Sequence, residues 1–160
     1  MYEHVSDPVK ASDPDVLFQQ AGALLSGQVD AVSNAANLAA LLFHSLPDVN
    51  WVGFYFLKEG RLLVGPFQGL PACVEIPLGK GVCGTAAATR EVQRVADVDA
   101  FDGHIACDAA SRSEIVVPLM RRNELFGVLD IDSPVPDRFT REDQALLERI
   151  AGLYVRSLEK

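Results

Sequence analysis

The stretch Trp51-Val-Gly-Phe-Tyr-Phe-Leu57, turned by Glu59-Gly60 into Arg61 to Phe67, decides the fold. Its aromatic and β-branched residues read as a strand, and Glu-Gly is turn chemistry that folds the chain back into a second strand. Alternation puts Trp51, Gly53 and Tyr55 on one face, with Val52, Phe54 and Phe56 behind them. Outward from this hairpin, short strands are expected around Cys73 to Ile76, Val92 to Val95, Glu114 to Leu119 and Leu125 to Ile131. Upstream, roughly Asp13 to Leu46 is helical in pattern. Asp13 is a good cap and Pro14 suits the first helical position. After Gly27 the run Val29, Val32, Ala36, Leu38, Leu41, Leu42 repeats at a helical period and stops before Pro47. Downstream, Val82 to Thr89 is a short alanine-rich helix after the turn Gly79-Lys80-Gly81. A final helix is capped by Thr140, with Asp143 as an approximate capping box and Leu146, Leu147, Ile150, Leu153, Tyr154 and Leu158 as its apolar stripe. The expected class is α+β: a central antiparallel sheet of about six strands with the N- and C-terminal helices packed on one face.

Composition narrows the function. The 160 residues suffice for one domain with its own core. The formal net charge is −8, from 22 acidic against 14 basic residues, which argues against a nucleic-acid partner. No segment has the apolar length of a membrane span. The start, Met1 to Pro8, lacks the charged-then-apolar pattern of a secretory signal, so a cytoplasmic location is expected. In that compartment three cysteines do not read as a disulfide scaffold, and any bridge among them is transient and functional.

Those cysteines, Cys73, Cys83 and Cys107, all sit in polar or Gly-rich surroundings, where thiols are reactive rather than merely packed. Cys83 equally suits a buried helix start. Zinc held by Cys73, Cys83, His104 and Cys107 would need a C-x₂₋₄-C pair that the chain lacks, so no metal or other cofactor is expected. The turn Gly79-Lys80-Gly81 is weak as a nucleotide loop and better as a source of N–H groups for a small anion. Strand parity puts Phe126, Val128, Asp130 and Asp132 on one face, and Glu114 opens the neighbouring strand. Together with Trp51 and Tyr55 these three carboxylates suggest a small cavity with an apolar wall and an acidic end.

Asn50-Trp-Val-Gly-Phe-Tyr55, Gly65-Pro-Phe-Gln-Gly69, Gly79-Lys-Gly-Val-Cys-Gly-Thr85, Gly103-His-Ile-Ala-Cys-Asp108, Ser113-Glu-Ile-Val-Val-Pro118 and Gly127-Val-Leu-Asp-Ile-Asp132 resemble the free methionine-(R)-sulfoxide reductases, which are stand-alone GAF-domain enzymes. The resemblance implies a single GAF domain over residues 1–160 that reduces free L-methionine-(R)-sulfoxide to methionine. It implies Cys107 as the attacking thiol and Cys73 as the partner that forms a disulfide with it. Cys83 matches the third family cysteine, with its role open. Glu114, Asp130 and Asp132 match the acidic pocket, with Glu114 and Asp132 assigned to the sulfoxide oxygen and Asp130 to the ammonium; Trp51 and Tyr55 match the aromatic wall. It further implies thioredoxin as reductant, a homodimer, and work under oxidative stress. Two readings from other classes remain beside it: a GAF sensor that binds a small ligand, and a cysteine redox switch without turnover.

Overall fold

The computed structural model describes residues 13–159 except Ala106 and Asp108. The opening stretch read for a secretory signal, and Asp108 of the last cysteine motif, therefore lie outside the described residues. Asp13 caps α1 (Pro14–Leu25) by accepting from the Asp15 N–H, with proline in the first turn. Asp30 does the same for α2 (Ala31–Ser45) through Ser33. The chain then builds β1 (Trp51–Lys58), β2 (Arg61–Gly69) and β3 (Glu75–Pro77) before α3 (Gly81–Thr89). After β4 (Gln93–Val95) come a single 3-10 turn, β5 (Ser113–Arg121), β6 (Glu124–Ser133) and α4 (Arg141–Ser157). The Thr140 hydroxyl accepts from the Asp143 N–H while the Asp143 carboxylate accepts from the Thr140 N–H, a complete capping box.

The strands form one antiparallel sheet in the order β3-β2-β1-β6-β5-β4. Two-residue hairpins set its register: Lys58 pairs with Arg61 across Glu59-Gly60, and Arg121 with Glu124 across Arg122-Asn123. All four turn residues have positive φ, the geometry that matches strand twist. Helices α2 and α4 cover one face, with α1 packed on both of them, burying Leu38, Leu42, Leu147, Ile150 and Tyr154 against Val52, Phe54, Ile115, Leu129 and Ile131. The opposite face carries α3, with Val82 and Ala86 packed on Trp51, Tyr55, Val116 and Val128.

Two details correct the sequence reading. Val29, Val32 and Ala36 are exposed; the buried stripe of α2 is Ala35, Leu38, Ala39 and Leu42. Capping by Asp30 leaves Val29 outside the helix, and small alanines rather than valines fit close to the sheet. In β6, Gly127 pairs with Leu119 but Leu125 with Met120, so Phe126 is an extra residue. This bulge turns Phe126 to the helix-covered face and Leu125 to the other, reversing strict alternation there.

Candidate active site

Beyond the bulge, alternation holds and assembles the acidic end. Trp51 lies opposite Asp132, and Asp132 opposite Glu114, so three strands contribute one row on the α3 face. The next row is Gly53, Asp130 and Val116. Facing residues in such rows project to the same side and touch. The Trp51 ring stacks on Phe67 with centroids 5.2 Å apart and tilts against Tyr55 at 5.8 Å. Gly53 makes that possible, since a Cβ there would come within 2.5 Å of the indole. Trp51 Nε1 donates to the Leu70 carbonyl at 3.1 Å, and the Tyr55 hydroxyl to the Cys73 carbonyl at 3.2 Å. The aromatic wall thus pins the loop that carries the first cysteine.

Cys83, on the first turn of α3, is buried, and its thiol lies 3.9 Å from Glu114 Oε2. Glu114 and Asp130 are 8% and 5% exposed, and Asp132 is partly exposed. Burial raises the pKa of all three carboxyl groups well above the ordinary range, and their mutual repulsion adds to it. Burial and like charge both favour the protonated forms, so the three carboxyls titrate as one coupled cluster. One oxygen each of Asp130 and Asp132 has no partner and is buried. Burial likewise pushes the Cys83 thiol and the Tyr55 hydroxyl up, so both stay protonated.

Cys73 and Cys107 are joined in a disulfide with Cα atoms 5.4 Å apart, and Cys83 remains a thiol. Cys107 lines a cavity of ≈ 40 Å³ together with Trp51, Tyr55, Cys83, Glu114, Asp130 and Asp132. Every site residue expected from the sequence therefore meets around one space, with Cys73 bonded to its rim. The pairing also takes two of the four residues weighed for zinc. Cys83, Glu114 and Asp130 do bring three donor atoms within 4.8 Å of one another, a spacing a cation can use.

The anion turn needs correction. The Gly79 N–H donates to the Gly84 carbonyl, Lys80 to Pro77 and Gly81 to Gly103, so all three donors of the turn are already taken. What faces the cavity is the start of α3, at Gly81, Val82 and Cys83, with the Lys80 side chain and His104 nearby. First-turn N–H groups there have no intrahelical acceptor. Sequence reasoning also missed Ser111. Its hydroxyl accepts from Asn50 Nδ2 at 3.3 Å and bonds the Asp132 carboxyl. A serine in the polar run Ala110-Ser-Arg-Ser113 carries no signal of that kind.

The antiparallel sheet with helices on both faces is the architecture of a GAF domain, and the GAF-domain family model matches residues 16–158. The chain is 55% identical over 130 residues to the free methionine-R-sulfoxide reductase of Escherichia coli (strain K12), covering 81% of this chain and 79% of that one. It superposes on the reduced form of fRMsr of Staphylococcus aureus with a TM-score of 0.90 at 49% identity, over 92% of this chain and 96% of that one. It matches free methionine-R-sulfoxide reductase from Neisseria meningitidis in complex with its substrate with a TM-score of 0.90 at 39% identity, over 99% and 95% of the two chains. The chain belongs to the free methionine-R-sulfoxide reductase family.

Proposed function

We propose that the protein reduces free L-methionine-(R)-sulfoxide to L-methionine with two electrons from its own thiols. One observation carries the reading: Cys107 of the disulfide lines the same cavity as the cluster of three carboxyls and the Trp51–Tyr55 wall. In the reduced enzyme the Cys107 thiolate attacks the sulfoxide sulfur. A carboxyl of the Glu114–Asp132 pair protonates the oxygen, which leaves the substrate sulfur for Cys107 and makes a sulfenic acid. Cys73 then attacks that sulfur, releasing water and forming the disulfide seen here. Asp130 supplies the negative charge for the substrate ammonium, and the indole of Trp51 packs on the methyl thioether end. Cys83 serves as a protonated neighbour that donates to Glu114.

Thioredoxin, or a dithiol like it, resets the bridge by exchange. The whole of residues 1–160 is read as one domain, a reading supported by the packing of α1 against α4 in one core. Cytoplasmic location and a homodimer belong to the same reading; no helix among the described residues is long and apolar enough to cross a membrane. The test is methionine release from separated sulfoxide diastereomers with dithiothreitol. Turnover of the R form, with little on the S form or on peptide-bound sulfoxide, is expected. Binding without turnover would instead make the protein a sensor, and a disulfide formed only by peroxide would make it a redox switch.

A further inference from the structure

Exposed apolar side chains flank both cysteines of the disulfide. Eight large hydrophobic side chains are exposed among the described residues, and three of them lie within three residues of a bridged cysteine. Leu70 is 65% exposed, Val74 67% and Ile105 36%. Exposed apolar residues scattered singly need no explanation, but a cluster marks an interaction surface. This cluster is held in place. Trp51 Nε1 and the Tyr55 hydroxyl bind the carbonyls of Leu70 and Cys73, and the Val64 N–H binds that of Val74 at 2.9 Å. With the backbone fixed at three points, the side chains of Leu70 and Val74 are turned to solvent. Ile105 is seated over Gly81 near Cys107, where it also contributes to the wall of the substrate cavity.

We propose that Leu70, Val74 and Ile105 form the docking face for a protein dithiol whose thiol emerges from an apolar surface, and that its thiolate attacks Cys73. The inference rests on the reductase reading above and names the partner side of its recycling step. Cys73 lies between Leu70 and Val74, whereas Cys107 lines the substrate cavity and Cys73 does not. Attack on Cys73 forms a mixed disulfide between the partner and Cys73, and breaks the Cys73–Cys107 bond. Cys107 is released as a thiolate facing the cavity. The partner's second thiolate then attacks its own sulfur in the mixed disulfide. Cys73 leaves as a thiolate that takes a proton from water, and the partner departs as its disulfide, having given two electrons. Redox encounters use small, transient interfaces, so an apolar lip of this size suffices.

The experiment compares two reductants, thioredoxin as protein dithiol and dithiothreitol as small dithiol. Leu70→Glu, Val74→Glu and the double variant are expected to raise the Michaelis constant for thioredoxin about tenfold. Turnover with dithiothreitol should stay at the wild-type rate, which also shows that the variants fold. Val32→Glu, equally exposed but on α2 across the sheet, should change neither. Thioredoxin with its second cysteine replaced by serine should be trapped on the peptide containing Cys73. An unchanged Michaelis constant in the double variant, or trapping on Cys107, overturns the proposal. So does a variant that changes the sedimentation mass, since the lip then binds a second copy of this chain, or one that loses dithiothreitol turnover, since the lip then belongs to the substrate site. Failure of the reductase reading looks different: wild-type protein makes no methionine with dithiothreitol.

Discussion

Cys107 and Cys73 share one bond here, yet their loss should have different consequences. Cys107→Ser removes the nucleophile, and methionine formation should vanish even in a single turnover. Cys73→Ser leaves the nucleophile but no thiol to discharge the sulfenic acid, so about one equivalent of methionine should appear before the enzyme stalls. Quenched-flow measurement of methionine per enzyme separates the two, and a surviving burst in Cys107→Ser would reassign them. The carboxyls make a second prediction, on pH. Their folded pKa values are raised, so the stability of the protonated pocket is complete below the unfolded carboxyl range. It is lost as pH rises through the folded values. Asp130→Asn cannot ionise and escapes that loss. Thermal unfolding should therefore show Asp130→Asn gaining on wild type more at pH 8 than at pH 5; the opposite order would mean that Asp130 is charged and well paired in the fold. For function, Glu114→Gln and Asp132→Asn should slow the single-turnover step, whereas Asp130→Asn should mainly weaken binding.

At the scale of elements, the fold was legible where local chemistry is unambiguous. Glu59-Gly60 turned the first hairpin, Thr140 and Asp143 capped α4, and Gly27 separated α1 from α2. Strand parity brought Asp130, Asp132, Trp51 and Tyr55 to one face because the bulge at Phe126 lies before the carboxylates rather than among them. The bulge itself was hidden: an extra residue in one strand shows only against its partner. The face of the sheet that receives α3 was equally hidden, since a run of alanines has no apolar side to read. For the same reason sequence left Cys83 undecided between packing and chemistry; the structure buries it and sets its thiol beside Glu114. Gly53 shows how an element tunes the site. A methyl group there would meet Trp51 Cη2 at 2.5 Å and Phe67 Cβ at 2.4 Å, one a movable ring and the other fixed to the strand. Gly53→Ala should displace the indole at a cost of about 1–3 kcal/mol in stability. Trp51 is the sole tryptophan, so a changed emission maximum together with a higher substrate Michaelis constant checks it directly. Unchanged emission would mean that the ring was not held as described.

At the scale of the whole molecule, redox state is expected to govern the space offered to substrate. The bridge joins residues 34 apart in sequence and ties the loop after β2 to the loop before β5, both of which contribute residues to the cavity wall. In this oxidised state the cavity is ≈ 40 Å³, whereas sites for small molecules run to roughly 300–1,000 Å³. Free methionine sulfoxide, with about ten heavy atoms and both backbone charges to pair, does not fit without movement of a loop. The bridge opposes that movement. Oxidised wild-type protein should therefore bind methionine sulfoxide at least about tenfold more weakly than reduced Cys107→Ser, which can neither form the bridge nor turn over. Isothermal titration on the two proteins measures it, with Trp51 emission as an independent signal. The kinetic counterpart is ping-pong behaviour: methionine must leave and the reductant must act before the next sulfoxide enters, giving parallel lines in double-reciprocal plots. Equal affinities and intersecting lines would show that the pocket opens regardless of the bridge. The small volume of the cavity would then be independent of the disulfide.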